Sequence, residues 1–271
     1  MRFHSIMVSK DIQEKLRERF NPEGSPLRKQ QLKMLEILLY FDKLCSDWGV
    51  TYWISSGTAL GAARHGGFIP WDDDLDVEMT LEDYKIIESV LEQDDKYDFQ
   101  SYKTDPFYCA PYSKLRDRYS VIKEHGRDKN YKYKGIYVDI FPMEFIPSKK
   151  VAICCNLLRY CLSIYSGKIN SKVGYFIFKM LKKSLFALFA TCRIILKPIK
   201  TKELRYCYGS YFDERRDIKN ILPVSKVEFE GYQVSAPKDL DKYLTMVYGN
   251  YNELPPIEQI TNHLTDVTFN E

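Results

Sequence analysis

An α/β architecture is what this sequence predicts, and three observations carry the prediction. Helix-period and strand-period segments alternate through the first half of the chain. A small-residue turn, SSGTALGAARHGG at 55–67, joins an apolar strand pattern to an acidic one. With 45% hydrophobic residues over 271 positions, the chain is long and apolar enough for one large domain, or for a core domain with an inserted or appended piece, and the composition excludes a disordered polypeptide.

The elements follow in order. Ser25 before Pro26 predicts a helix start, and LRKQQLKMLEILLYFDKLCSDW continues it to Gly49, with Leu32, Leu35, Leu38, Leu39 and Cys45 at helical spacing against a core. VTYWISS reads as a buried strand, and GTALGAARHGG as a turn opening into a short helix. In DLDVEM, Leu75, Val77 and Met79 fall on one face and Asp74, Asp76 and Glu78 on the other. Thr80 and Asp83 predict a capping box for the helix LEDYKIIESVLEQ. In GIYVDIFPMEF, Asp139 stands opposite Ile136, Val138 and Ile140, and Pro142 is expected to limit that strand close to Asp139. From Val151 to about Lys200 two helices interrupted by SGKINSKVG are expected; a short strand, a helix stopped by Gly249 and a proline-bounded tail complete the chain.

The net charge of +3 gives no reason to expect a nucleic-acid partner, but its distribution is uneven. No Asp or Glu lies between Phe145 and Lys202, where twelve Lys and Arg occur, so the rest of the chain carries 37 acidic against 28 basic residues. An acid-free, apolar, basic stretch is the composition of a helical insertion resting on anionic lipid, or of a helical cap with solvated lysines. Seven cysteines without paired spacing, and an N-terminus lacking a signal-peptide core, predict a reducing, cytoplasmic compartment. The longest apolar candidate, SLFALFATCRIIL, contains Arg193 and is too short to span a membrane.

The chemistry-bearing pattern is a Gly-Thr turn (Gly57, Thr58), then the D-x-D of Asp74 and Asp76, then Asp139 inside a later strand. Carboxylate oxygens are what a hard cation such as Mg²⁺ selects, and Mg²⁺ neutralises phosphate oxygens in phosphoryl transfer. Asp72 shares the face of Asp74 and Asp76 and is either a further ligand or a solvated loop residue, while Asp73 is read as structural. Arg64 either neutralises a phosphate or pairs with the nearby aspartates. His65 reads as a hydrogen-bonding residue rather than a catalyst. Lys114 and Arg116, with Asp117, either contact a phosphate donor or form a salt-bridge network. His263 is a candidate on the acceptor side.

The string YWISSGTALGAARHGGFIPWDDDLDVEMT, with SKLRDRYSVI, GIYVDIFPMEFIP and YGNYNELPPIEQITNH, resembles the signature of the LicD family, a branch of the nucleotidyltransferase-like superfamily. The resemblance implies a nucleotidyltransferase-like fold, a small mixed sheet flanked by helices, here with a basic helical insertion. It divides the chain into an N-terminal extension (1–24), a catalytic core (25–148), the insertion (149–202) and a C-terminal part completing the core and acceptor side (203–271). It implies that Gly57 and Thr58 hold donor phosphates and that Asp74, Asp76 and Asp139 bind Mg²⁺, with Mn²⁺ as the alternative. The implied reaction is metal-dependent transfer of a substituted phosphate from a CDP-activated alcohol, phosphocholine from CDP-choline first among them. The acceptor is a hydroxyl of a cell-surface glycan or its lipid-linked precursor, and CMP is released. The alternatives are a nucleotidyltransferase consuming NTP, or a non-catalytic scaffold binding membrane or polysaccharide. Two departures stand out: Gly66 replaces a lysine found in many relatives, and Leu264 replaces a second histidine after His263.

Overall fold

The computed structural model describes residues 8–123, 128–212, 214–256, 258, 260 and 267–269. Among them the helices are α1 (Lys10–Phe20), α2 (Pro26–Asp47), α3 (Ser56–His65), α4 (Leu81–Leu91), α5 (Lys149–Ser166), α6 (Lys172–Leu196), α7 (Ile218–Ile221) and α8 (Leu240–Tyr248). The strands are β1 (Tyr52–Ile54), β2 (Asp76–Thr80), β3 (Asp98–Gln100), β4 (Ser113–Arg116), β5 (Ser120–Ile122), β6 (Tyr137–Phe145), β7 (Glu203–Tyr206), β8 (Arg215–Asp217), β9 (Ser225–Phe229), β10 (Tyr232–Ala236) and β11 (Val267–Phe269). Seven strands form one sheet in the order β1-β2-β6-β4-β3, with β7 continuing from the far half of β6 and β8 pairing β7. Only β2 and β6 run parallel in it; the other pairs are antiparallel, so the sheet is mixed as expected. The strand pairs β9/β10 and β5/β11 stand apart from it.

Local chemistry accounts for the element starts. Ser25 Oγ accepts from the Arg28 N–H with Pro26 at the first helical position, and Thr80 Oγ1 accepts from the Asp83 N–H. The core face of α2 is Leu27, Met34, Leu35, Ile37, Leu38, Phe41 and Cys45; Leu32, expected on that face, is 40% exposed. The alternation of DLDVEM holds, with Leu75, Val77 and Met79 fully buried in the main core. Residues 10–20, in the stretch read as an extension, form α1, whose buried Leu16 and Phe20 dock it on the domain.

The expectation about Pro142 is corrected. β6 runs through Pro142 to Phe145 because the missing N–H falls where no donor is needed. Asp139 donates its N–H to Leu75 O on the β2 side. By the two-residue alternation, position 142 therefore faces the opposite edge, between the end of β4 pairing at Ile140 and the start of β7 pairing at Met143.

α5 and α6 form a hairpin over a second apolar cluster that includes Cys155, Leu162, Phe178, Leu185 and Phe189. Lys182 is buried there, its Nζ donating to the carbonyls of Asp105 (2.9 Å) and Pro106 (2.8 Å). Arg193 pairs with Glu144 at the hairpin's base. All seven cysteines are free thiols.

Candidate active site

The parallel pairing of β2 and β6 sets Asp76 directly beside Asp139, and the antiparallel pairing of β6 and β4 sets Asp139 beside Lys114. Three ionisable side chains thus stand in a row across three strands. Lys114 Nζ lies 3.0 Å from Asp139 Oδ1 and 3.2 Å from the centroid of the Tyr137 ring, so the ammonium is held on both sides. Asp74 and Asp72 extend the row from the loop before β2, and with Asp76 and Asp139 they line one pocket of about 410 Å³.

That loop is held from beneath by two buried glutamines of α2. Gln31 Nε2 donates to the carbonyls of Ile69 (3.3 Å) and Asp72 (2.9 Å), and Gln30 Nε2 to Asp73 O (2.6 Å). Thr58 is buried rather than at the pocket wall: its Oγ1 accepts the Asp76 N–H at 2.9 Å, pinning the start of β2 to α3. Gly57 does line the pocket, and a Cβ there would stand 2.7 Å from Asp72 Oδ2, so only glycine admits the carboxylate this close. Ser56 beside it holds a left-handed φ of +46°, and its N–H donates to Tyr243 Oη at 3.1 Å. By helix geometry the first turn of α3 presents backbone N–H groups at this wall.

The acidic row is electrostatically strained. Burial, then the charge of Asp139, pushes the Asp74 carboxyl up to about 6. Burial and neighbouring carboxylates likewise raise Asp72 and Asp76 well above the usual range, with Lys114 partly offsetting this at Asp76. Hard oxygen donors that repel one another fit a divalent cation, which would remove the repulsion. No three of the described His, Cys, Asp and Glu side chains are already drawn into a ligand group. The fit therefore rests on donor chemistry and shared charge.

The opposite wall is aromatic. Tyr112, Phe141, Tyr206 and Phe212 line the pocket with ring centroids 4.5 Å (Tyr112–Phe141), 5.4 Å (Phe141–Tyr206) and 5.3 Å (Tyr206–Phe212) apart; Tyr248 and Glu214 complete the rim. Arg216 also lines the pocket and belongs to a buried ion pair, Arg216 Nη2 to Glu78 Oε1 at 3.0 Å. Glu78 also accepts from Trp53 Nε1 (2.8 Å) and Tyr206 Oη (2.8 Å).

Arg64 and Arg116 stand outside the pocket lining. The Arg64 guanidinium donates to the carbonyls of Tyr251 (3.3 Å) and Glu253 (3.1 Å) and, through Nε, to His65 Nε2 (3.0 Å). Arg116 donates to Gln100 Oε1 and Gly135 O, both at 2.7 Å. His263 lies outside the described residues. Gly66, where a lysine was the comparison, ends α3 at a φ of +67°, a conformation that disfavours a lysine.

His65 is a clasp. Because its Nε2 accepts from Arg64, its Nδ1 carries the proton and donates to Gln13 Oε1 of α1 at 2.6 Å. Burial, then the charge of Arg64, lowers its pKa to about 3. The folded pKa lies below the unfolded one of about 6.5, so the unfolded chain binds the extra proton first. Stability therefore falls, by up to about 1.4 kcal/mol per pH unit, as pH drops from about 6.5 towards 3. The melting-temperature difference between wild type and His65→Gln should change across that window and stay constant above it; a pH-independent difference would refute the neutral clasp.

With the geometry described, comparison with known proteins becomes informative. Residues 49–158 match the profile described as LicD/FKTN/FKRP, nucleotidyltransferase domain, a span containing α3, β2, β4 and β6. Over this span the chain is similar to the LicD family. The lipopolysaccharide cholinephosphotransferase LicD of Haemophilus influenzae is 29% identical over 258 residues, 88% of this chain and 95% of that protein. Human ribitol 5-phosphate transferase FKRP is 60% identical over 35 residues, 13% of this chain and 7% of that protein. Mouse ribitol-5-phosphate transferase FKTN is 44% identical over 50 residues, 18% of this chain and 11% of that protein. Likeness to a LicD protein thus extends along most of the chain, whereas that to the ribitol-phosphate transferases is confined to short stretches.

Proposed function

We propose that this protein transfers phosphocholine from CDP-choline to a glycan hydroxyl and releases CMP. The observation that carries the reading is the row Asp74, Asp76 and Asp139 lining one pocket together with Gly57. The glycan hydroxyl attacks the phosphorus bearing the choline ester and gives up its proton to solvent; the bond from phosphorus to the bridging oxygen breaks, and CMP leaves with that electron pair. Asp74, Asp76 and Asp139, with Asp72 at the edge, would hold Mg²⁺. When bound, such an ion neutralises phosphate charge and stabilises the leaving oxygen. The chain's own part is to hold the diphosphate against the first turn of α3, to keep Asp139 oriented through Lys114, and to bring the acceptor hydroxyl into line.

Choline is favoured over ribitol by the opposite wall. Four aromatic rings with one carboxylate, Glu214, at the rim suit a trimethylammonium, the Arg216 cation of the same lining being neutralised by Glu78, whereas a polyol would need hydrogen-bond partners that Phe141 and Phe212 lack. The test is CMP release with CDP-choline, CDP-ethanolamine, CDP-glycerol and CDP-ribitol in the presence of glycan acceptor. CDP-choline should be preferred, and Phe212→Leu should lower its kcat/KM by about tenfold while changing CDP-ribitol use little. Consumption of CTP to pyrophosphate without CMP release would reject the reading; turnover of CDP-ribitol alone would reject the choice of alcohol.

A further inference from the structure

The α5–α6 hairpin buries one stripe of each helix and exposes a second. On α6 the buried positions are Phe178, Lys182, Leu185 and Phe189. Advancing at 3.6 residues per turn, Val173, Phe176, Ile177, Met180, Ile194 and Ile195 fall on the opposite side, and each is 45% exposed or more. On α5 the buried Cys155 and Leu162 face away from the exposed Ile153, Leu157, Tyr160 and Ile164. Lys172, Lys179, Lys183 and Lys197 lie along one flank of the outward stripe of α6, between it and the buried stripe, and all four are exposed.

We infer that this hairpin is a membrane-docking surface: the two helices lie along an anionic bilayer, with outward apolar side chains in the acyl–headgroup boundary and lysines on lipid phosphates. Exposed apolar stripes on adjacent helices need a covering, because soluble surfaces rarely leave patches of this kind. A second copy is disfavoured by charge. No acid occurs between Phe145 and Lys202, so two such faces would bring only like charges together. The same absence matches an anionic surface. No described helix is long and apolar enough to cross a membrane, so the helices rest in the interface. The hairpin is also coupled to the pocket. Cys109 and Tyr208 pack in the cluster beneath it, and a few residues further on Tyr112 and Phe212 line the pocket wall. A docked hairpin therefore holds the pocket next to the lipid face, where an acceptor carried on lipid would be presented.

The inference is independent of the transfer reaction and is tested without it. The full chain should float with phosphatidylcholine vesicles containing phosphatidylglycerol, and about tenfold less with phosphatidylcholine alone or at high salt. Phe176→Glu should abolish flotation. Ile177→Trp, which keeps the apolar face, should show blue-shifted emission on anionic vesicles only, so the conclusion does not depend on the charged variant folding. Equal behaviour on both vesicle types, no flotation, or a dimer in solution that Phe176→Glu converts to monomer would overturn the inference.

Discussion

Asp76→Asn should reduce turnover by about 10³-fold or more and, in the same protein, raise the melting temperature measured without divalent cation. The two effects have one cause. Asp76 is fixed beside Asp139 by strand register, with Asp74 and Asp72 adjacent, and its carboxyl is pushed well above the usual range by burial and by those charges. An ionised Asp76 is therefore unfavourable in the metal-free fold at neutral pH, and removing its charge should return on the order of 1 kcal/mol, or about 2–4 °C. Asparagine keeps the backbone N–H that Thr58 Oγ1 accepts, so β2 stays anchored. Wild type should gain melting temperature on adding Mg²⁺, and Asp76→Asn should gain little. A metal-free variant that melts below wild type would show that this carboxylate supports the fold. Unchanged turnover would remove the acidic row from the chemistry.

The acidic row was legible because the two-residue alternation of DLDVEM and GIYVDIF is a backbone property, readable wherever one face is apolar. The setting of Asp76 beside Asp139 was not, since register across some sixty intervening residues depends on the pairing of the whole sheet. Pro142 misled because a proline normally ends a ladder, and only the change of neighbour from β4 to β7 removes the need for its N–H. Arg64 next to a glycine-rich turn has the chemistry of a phosphate ligand, yet its guanidinium is committed to carbonyls near the other end of the chain. Gln30 and Gln31 carried a signal that was passed over: they interrupt the apolar stripe between Leu27 and Met34, where a polar side chain needs a buried partner. The pairing of Arg216 with Glu78 had no local signal, because the partners lie on distant strands and nothing in the sequence around Arg216 ties it to the DLDVEM segment.

That pair should be the most stability-sensitive point at the pocket. Glu78 and Arg216 have exposures of 0% and 1%, so neither charge can recruit water when the other is lost. Glu78→Gln keeps one acceptor oxygen where Glu78 offers two, Oε2 to Trp53 and Oε1 to Tyr206, and leaves the Arg216 cation buried between the Tyr206 and Tyr243 rings without its counter-ion. The expected cost is about 3–5 kcal/mol, a large share of a typical domain's total. Arg216→Met should cost a similar amount by stranding the carboxylate. The double variant should be less destabilised than the sum of the two, by about 2 kcal/mol or more, because no uncompensated charge remains. Urea denaturation of the four proteins measures this coupling, and additive effects, or a Glu78→Gln change within about 0.5 kcal/mol, would refute it. The loss should also reach the site. Tyr243 Oη lies 3.4 Å from Glu78 Oε1 and receives the N–H of Ser56, the residue held at positive φ beside Gly57. Loosening that chain lets the first turn of α3 relax, so the KM for the nucleotide donor should rise in Glu78→Gln even at temperatures where the variant remains folded.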